Sequence, residues 1–246
     1  MESGPIDFID LDHTITRCSS VRRFIAAGVR MGALPLRNLL SLPFYYMQYR
    51  FGRMRTDLGS RGFPELEEMT HGRLVTIAEI SFETRLMNDI FAEAEELIAD
   101  LRAGRRTVVL ATSSVELIVA PIARYLGVVH VLASSLEFSD GRCTGRFLRP
   151  PLLGIEKRSA AGAFARARGV DLADCSFYSD SIYDLPLLEA VGTPVAVNPD
   201  PRLARIAGER DWRVLRFHRT LGRGRRCRGR GGAGDRGRRE DREWKK

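Results

Sequence analysis

The sequence predicts an α/β protein in which a parallel β-sheet has helices on both faces and is interrupted by one all-helical insertion. Two observations carry this prediction. From residue 107 to 217, short apolar runs rich in β-branched residues alternate with segments of helical periodicity, a pattern typical of βαβ units. One more short strand lies near the N-terminus, and residues 17–92, whose apolar residues recur at helical spacing, separate it from the others.

The first predicted strand is Ile6–Ile9, and two acidic residues, Asp10 and Asp12, follow it at once. Residues two apart in an extended chain point to the same side, so both carboxylates are expected to project together. Neighbouring carboxylates repel each other, and a divalent cation between them relieves this repulsion. The stretch therefore predicts a metal site; the alternative that it leaves open is a solvated polar turn.

The helical insertion is predicted from residues that cap or repeat at helical spacing. Ser19 and Ser20 can cap a first helix, and Thr70 to Leu101 carries apolar residues at roughly helical intervals. Between them, Leu34 to Tyr49 is apolar and aromatic, is broken by prolines and is flanked by arginines. This stretch could cover a pocket or lie on a membrane surface, and packed helical core is the favoured interpretation.

From residue 107 onward the chain is predicted to alternate between strands and helices. The predicted strands are 107–111, 129–133, 176–179, 194–197 and 212–217, the predicted helices are 115–126 and 157 to about 168, and a hairpin spans 136–147. Binding sites of parallel sheets lie at the carboxyl ends of the strands. The polar residues that fall at such ends are Asp10, Asp12, Thr112, Asp180 and Asp184.

The positive charge of the chain is concentrated at its C-terminus. The sequence has 39 Lys and Arg against 31 Asp and Glu, and His218 to Lys246 holds 12 and 4 of these, which is the whole excess of +8. Because this stretch is also rich in glycine and poor in apolar residues, it is predicted to be a disordered basic tail. It could contact phosphates of nucleic acid or lipid, but charge runs are more often solvated, so no specific nucleic acid is expected.

The sequence also predicts where the protein resides. It has no run of about 18 uncharged apolar residues, so no transmembrane segment is expected, and its N-terminus lacks the pattern of a signal peptide. The 4 cysteines show neither metal-ligand nor disulfide spacing, which favours reduced thiols and the cytoplasm. Peripheral membrane contact and the oligomeric state stay open.

Four motifs in order resemble those of the haloacid dehalogenase (HAD) superfamily, in subfamily IB, the phosphoserine phosphatase-like group. They are Asp10-x-Asp12-x-Thr14, Thr112 after an apolar strand, Lys157, and Asp180-Ser181-x-x-Asp184. The resemblance covers residues 6 to about 217. It implies a Rossmann-like HAD core formed by residues 1–16 and 93–217, with 17–92 as an inserted all-helical cap domain and 218–246 as the tail.

This resemblance implies a Mg²⁺-dependent phosphatase that hydrolyses a small phosphorylated metabolite, a phosphate monoester, through an aspartyl phosphate. Asp10 would be the nucleophile and Asp12 the general acid and base. Mg²⁺ would be held by Asp10, by Asp12 through its backbone carbonyl, and by Asp180.

Further roles follow from the same resemblance. Thr112, Ser113 and Lys157 would bind the substrate phosphate. Ser181 and Asp184 are supporting residues, and Asp184 could either reach the metal through water or orient Lys157.

The substrate and one other class of function are left open by the sequence. Phosphoserine phosphatases have a glutamate nine residues after the nucleophile, where this chain has Ser19, and Arg85 is only a candidate for contacting a substrate carboxylate. The alternative class is a non-catalytic protein that binds a phosphate ligand and contacts polyanions or membranes through its tail. The intact pair Asp10 and Asp12 favours the enzyme, because a binding protein has no need of both.

Overall fold

The computed structural model describes residues 4–36 and 63–222. The predicted aromatic stretch 44–49 and most of the predicted tail, residues 223–246, lie outside the described residues. The strands are β1 Ile6–Ile9, β2 Thr107–Val115, β3 His130–Ser134, β4 Leu136–Ser139, β5 Arg142–Phe147, β6 Ser176–Ser179, β7 Thr193–Val197 and β8 Arg213–Leu215.

Helices make up most of the remaining described chain. They are α1 Ser20–Arg30, α2 His71–Ser81, α3 Met87–Asp89, α4 Ala92–Ala103, α5 Glu116–Leu126, α6 Ile155–Arg166, α7 Leu185–Leu188 and α8 Pro201–Glu209, with a π-helical turn at Phe82–Leu86 and 3₁₀ turns at Pro64–Leu66, Leu172–Asp174 and Ile182–Asp184. None of the helices in the described ranges is long and apolar enough to cross a membrane.

Six strands form one parallel sheet in the order β3-β2-β1-β6-β7-β8, which confirms the predicted α/β class. Alternate residues of each strand pack on opposite faces. Phe8 and Val109 pack against α6, α7 and α8 on one face. Ile9 and Leu110 pack against α4 and α5 on the other. The short apolar runs thus form strands because helices bury both of their faces.

The hairpin predicted at residues 136–147 is confirmed as the antiparallel pair β4 and β5. Asp140 and Gly141 both have positive φ, 49° and 77°, as a tight two-residue hairpin turn requires. The hairpin lies outside the main sheet and pairs with chain from the insertion: the Glu68 amide donates to the Cys143 carbonyl at 2.9 Å, and the Cys143 amide donates to the Met69 carbonyl at 2.9 Å.

Three predicted boundaries were wrong, each for a local reason. Strand β2 continues past Ala111 to Val115, because its pairing with β3 resumes after a shift of register. Lys157 is the third residue of α6 and does not open it. The helix predicted from Thr70 to Leu101 is broken at Ile90 and Phe91, where the backbone turns extended.

This break is where the insertion rejoins the sheet. Thr16, on the outgoing chain, bridges to Ile90, the Arg17 amide donates to the Asp89 carbonyl at 2.8 Å and the Phe91 amide donates to the Ile15 carbonyl at 2.9 Å. The two crossings between the sheet and the insertion therefore lie side by side.

The start of the predicted tail is corrected by the structure. Thr220 is buried and bridges to Phe91, and the Leu221 amide donates to the Ile90 carbonyl at 2.9 Å. Arg219 pairs with Glu93 at 3.2 Å and with Glu96 at 3.1 Å. Residues 218–222 thus pack on the second crossing, because backbone pairing and ion pairs hold a segment whose composition alone predicts disorder.

Two truncations are expected to differ sharply in stability. Deleting residues 223–246 should leave the melting temperature and the activity unchanged. Deleting residues 218–246 removes two backbone hydrogen bonds and a buried side chain, and should lower the free energy of unfolding by about 2 kcal/mol or more. Thermal and urea unfolding of both variants measure this. Equal stability of the two variants would show that the packing of 218–222 contributes nothing.

Candidate active site

The predicted site residues meet where three neighbouring strands of the sheet end. Strand β1 pairs with β2 on one side and with β6 on the other. Asp10 follows β1, Thr112 lies in the last part of β2, and Asp180 follows β6. The Asp10 amide still donates to the Tyr178 carbonyl at 2.9 Å, so the sheet itself fixes the backbone that carries this carboxylate.

Lys157 is buried between two carboxylates. Its ammonium Nζ lies 2.8 Å from Asp10 Oδ1 and 2.8 Å from Asp184 Oδ2. The Ser179 hydroxyl also donates to Asp184 Oδ2, at 2.6 Å. Only 2% of Lys157 is exposed, so its position is set by these partners. Of the two roles that the sequence left open for Asp184, the geometry favours orienting Lys157.

The charges of this cluster do not balance. Asp10, Asp180 and Asp184 are all buried, and Lys157 neutralises one of them. Burial raises the pKa of Asp10 to about 7, against the opposing pull of Lys157. Burial and the neighbouring carboxylates Asp10 and Asp184 raise the pKa of Asp180 well above its usual range. Burial alone would lower the pKa of Lys157, but the carboxylates of Asp10 and Asp184 raise it above its usual value.

A divalent cation fits this unbalanced charge. None of the hydrogen bonds among the described residues ends on the Asp180 carboxylate, although the residue is only 5% exposed, and a buried, unpaired carboxylate is unfavourable. In residues 4–36 and 63–222, no three His, Cys, Asp or Glu side chains are grouped to hold a metal by themselves. A set made of the Asp10 and Asp180 carboxylates needs oxygen from the backbone, such as the Asp12 carbonyl, and from water or substrate.

The side chain of Asp12 is held by residues that the sequence analysis did not assign to the site. The Ser114 hydroxyl donates to Asp12 Oδ2 at 3.0 Å, and the Ser20 amide donates to Oδ1 at 2.8 Å. The signal for Ser114 was its position two residues after Thr112 in an extended chain. Each carboxylate oxygen of Asp12 thus accepts one protein donor, and a metal contact through the Asp12 backbone carbonyl stays a prediction.

The predicted phosphate-binding residues are placed differently from one another. The Thr112 hydroxyl is buried and accepts the Ser114 amide at 3.1 Å, so its own hydrogen can be donated to a ligand. Ser113 is half-buried, and its carbonyl accepts the Ser134 hydroxyl at 2.8 Å. Ser181 caps the turn that carries Asp184, its hydroxyl accepting the Tyr183 amide at 3.3 Å. Phosphate contact by Thr112 and Ser113 stays a prediction.

Two positions bear on substrate choice. Ser19, where phosphoserine phosphatases have glutamate, is the N-cap of α1 and its hydroxyl accepts the Arg22 amide at 3.4 Å. Arg85 is exposed on the π-helical turn. Neither side chain has a contact with the charged cluster among the hydrogen bonds and ion pairs of the described residues.

Magnesium is expected to stabilise the protein more at about pH 8 than at about pH 5. The folded pKa of Asp10 is raised above its ordinary value of 3.8 to about 7, so the stability linked to this group is complete at low pH and is lost as the pH rises through about 7. A bound cation removes this loss, and at about 100 times its Kd adds about 2.7 kcal/mol. Thermal unfolding with MgCl₂, against NaCl of equal ionic strength, measures the difference. An equal shift at both pH values would contradict a cation at Asp10.

The comparisons with known proteins identify the family. The family model of haloacid dehalogenase-like hydrolases matches residues 8–189. This range begins within β1 and includes the insertion, the Lys157 helix and the segment with Asp180 and Asp184. The chain belongs to the haloacid dehalogenase-like hydrolases.

Similar sequences within the family carry different names. A protein of Mycobacterium tuberculosis named "Probable phosphatase" is 37% identical over 220 residues, covering 87% of this chain and 76% of that protein. A phosphoserine phosphatase of the same organism is 33% identical over 226 residues, covering 87% and 72%. A histidinol-phosphatase of Neisseria meningitidis is 40% identical over 119 residues, covering 47% and 53%.

A solved structure is also similar to this chain, and the match covers nearly the whole length of that structure. It is a protein of unknown function from Bordetella pertussis Tohama I, with a TM-score of 0.76 and 28% sequence identity, and the match covers 86% of this chain and 98% of that one. This chain therefore shares its overall fold with a solved structure.

Proposed function

We propose that this phosphatase transfers the phosphoryl group of a small phosphate monoester to Asp10 and then to water, with Mg²⁺ as its cofactor. One observation carries the proposal: Lys157 binds Asp10 at Oδ1, and no donor in the described chain contacts Oδ2. One oxygen of a buried carboxylate is thus anchored while the other is available to attack phosphorus.

The neighbouring residues suit the two steps of such a reaction. In the first step a bond forms between Asp10 Oδ2 and phosphorus, the bond to the alcohol oxygen breaks, and Asp12 gives that oxygen a proton. In the second step water attacks phosphorus, Asp12 takes the proton of that water, and Asp10 is released as a carboxylate. Lys157 has a third N–H beyond the two that face Asp10 and Asp184, and Thr112 has its hydroxyl hydrogen, so both can bind phosphoryl oxygens.

Asp10, Asp180 and the backbone carbonyl of Asp12 are the proposed holders of Mg²⁺. When bound, the ion would offset negative charge of the phosphoryl group and of the buried carboxylates. Lys157 alone cannot do this, because Asp10 and Asp184 already share its charge.

We propose that residues 17–92 form the cap over this site, and that its two crossings act as one hinge. The Asp89 carboxylate, next to the second crossing, pairs with Arg17 at 3.1 Å and with Arg23 at 2.6 Å, both on the chain that follows the first crossing. A cap that closes over bound substrate would exclude bulk water while the phosphoryl group is transferred.

The proposed substrate class is a small phosphorylated metabolite, without a commitment to phosphoserine. The relatives are named for different substrates, and Ser19 serves as a helix cap where a glutamate would contact the amino group of phosphoserine. The cytoplasm is the proposed compartment, supported by the free thiols of Cys18, Cys143 and Cys175.

Hydrolysis of an aryl phosphate by purified protein, followed by a panel of phosphorylated metabolites, tests the proposal. Activity should disappear with EDTA and return when Mg²⁺ is added in excess. NaCl of equal ionic strength, added in place of Mg²⁺, serves as the control for charge screening alone. A protein that binds phosphate esters in a Mg²⁺-dependent manner but hydrolyses none of the panel would overturn the proposal in favour of a binding protein.

A further inference from the structure

Two buried serine hydroxyls form a chain that ends on the carboxylate of Asp12. The Ser20 and Ser114 hydroxyl oxygens lie 2.8 Å apart, and the Ser114 hydroxyl donates to Asp12 Oδ2. Since Ser114 gives its hydrogen to Asp12, the Ser20 hydroxyl must donate to Ser114. Ser20 is 0% exposed and Ser114 is 4% exposed, so bulk water cannot replace these bonds.

The chain joins parts of the molecule that are distant in sequence. Ser114 lies near the end of β2 in the sheet, and Ser20 is the first residue of α1, the helix that opens the insertion. The Ser20 amide also holds Asp12 directly, at Oδ1. One carboxylate oxygen of Asp12 is therefore held by the sheet and the other by the insertion. The hydrogen bond between the two serine hydroxyls links the sheet to the insertion at this point.

We propose that Ser114 and Ser20 are positioning residues that aim the Asp12 carboxyl group at the leaving-group oxygen, and that this aim depends on α1 being in place. The inference rests on the proposed function, because it assigns Asp12 the transfer of a proton to that oxygen. A hydrogen bond to each carboxylate oxygen uses one lone pair of each, so a lone pair remains on both to carry the proton. Ser114 fixes the plane of the carboxyl group, and Ser20 fixes the hydroxyl of Ser114.

Packing alone gives little reason for two hydroxyls at these positions. Both serines are buried, and burying a hydroxyl is unfavourable unless it is hydrogen-bonded. Alanine would fit both sites with no such requirement. The hydroxyls are therefore accounted for by the carboxylate that they hold.

The proposal has a kinetic signature that a merely structural role lacks. Loss of a well-aimed general acid slows the step in which the leaving oxygen needs a proton, so it affects esters of alkyl alcohols strongly. A leaving group such as 2,4-dinitrophenolate needs no proton, so the rate of its departure hardly depends on Asp12. The parameter kcat/KM reports this first step, whereas slower hydrolysis of the aspartyl phosphate affects kcat alone.

The experiment compares Ser114→Ala, Ser20→Ala and the double variant on two esters, 2,4-dinitrophenyl phosphate and an alkyl phosphate that the unmodified enzyme accepts. Ser114→Ala should lower kcat/KM about 10–100-fold for the alkyl ester and less than about 3-fold for the aryl ester. Ser20→Ala should act in the same direction but more weakly, and the double variant should be little worse than Ser114→Ala, because one chain is broken in each case. Ser114→Thr, which keeps the hydroxyl, should restore kcat/KM for the alkyl ester.

The control is Ser176→Ala, which removes another buried serine hydroxyl, bonded to Arg106 at the opposite end of the sheet. Ser176→Ala should lower stability without changing the ratio of the kcat/KM values for the two esters. The proposal would be overturned if Ser114→Ala lowered kcat/KM equally for both esters, or did not lower it for either. If Ser114→Ala fails to fold, the ratio measured for Ser20→Ala, which leaves both bonds to Asp12 in place, decides in the same way. Failure of the proposed function would look different, because the unmodified protein would then hydrolyse neither ester with Mg²⁺.

Discussion

Replacing Asp10 by asparagine is expected to lower kcat by more than about 10³-fold, the scale on which loss of a nucleophile acts. The amide has nearly the shape of the carboxylate, and its oxygen can still accept the Lys157 ammonium that lies 2.8 Å from Oδ1. What is lost is the anionic oxygen that attacks phosphorus. The activity should therefore fall while the far-UV circular dichroism and the cooperativity of unfolding remain.

Asp100→Asn is the matched control, because Asp100 is an exposed aspartate on α4. It should retain full activity. Wild-type turnover in Asp10→Asn, with Asp100→Asn also active, would show that the phosphoryl group does not pass through residue 10.

Replacing Lys157 by methionine is expected to abolish measurable turnover and to destabilise the protein by about 3–5 kcal/mol in the absence of Mg²⁺. The side chains have similar volumes, so the main change is the loss of a buried cation. Asp10 and Asp184 then lose their shared partner, and the pKa of Asp10 should rise further, because Lys157 no longer opposes the effect of burial. Stability should consequently be lost as the pH is raised, and more steeply than in the unmodified protein.

Arg158→Met is the control for this change, since Arg158 is the next residue of the same helix and is exposed. Urea unfolding at about pH 5 and about pH 8 measures both variants. Mg²⁺ should recover part of the stability of Lys157→Met but none of its activity, if the lysine binds the phosphoryl group. A variant as stable as Arg158→Met at both pH values would contradict the charge balance assigned to the cluster.

The sheet and the charged cluster could be predicted because their signals are local in sequence. Strand β1 is a short apolar run followed at once by Asp10 and Asp12, and the β6 run ends in the same way at Asp180. The carboxyl ends of parallel strands meet at one edge, so pattern alone brings these residues together. The contact between Lys157 and Asp184 needed the structure, because a lysine on a helix is ordinarily solvated.

The features that could not be predicted depend on contacts between distant residues. Ile90 and Phe91 are compatible with a helix, and the helix breaks there because Thr16 and Thr220 pair with them. The contact of Ser20 with Ser114 joins residues 94 positions apart. In the sequence, Ser20 has the pattern of a helix cap, and Ser114 is the end of a polar run after a strand.

Rapid acid quenching of the Asp12→Asn variant during reaction with 2,4-dinitrophenyl phosphate tests the central claim most directly. This ester needs no general acid, so Asp10 should still be phosphorylated, whereas hydrolysis of the aspartyl phosphate needs the missing base. Mass spectrometry of the peptide that contains β1 should then find one phosphoryl group per chain, placed on Asp10 by fragmentation. Continued turnover with no phosphoryl group on this peptide, or with the group on another residue, would contradict the account.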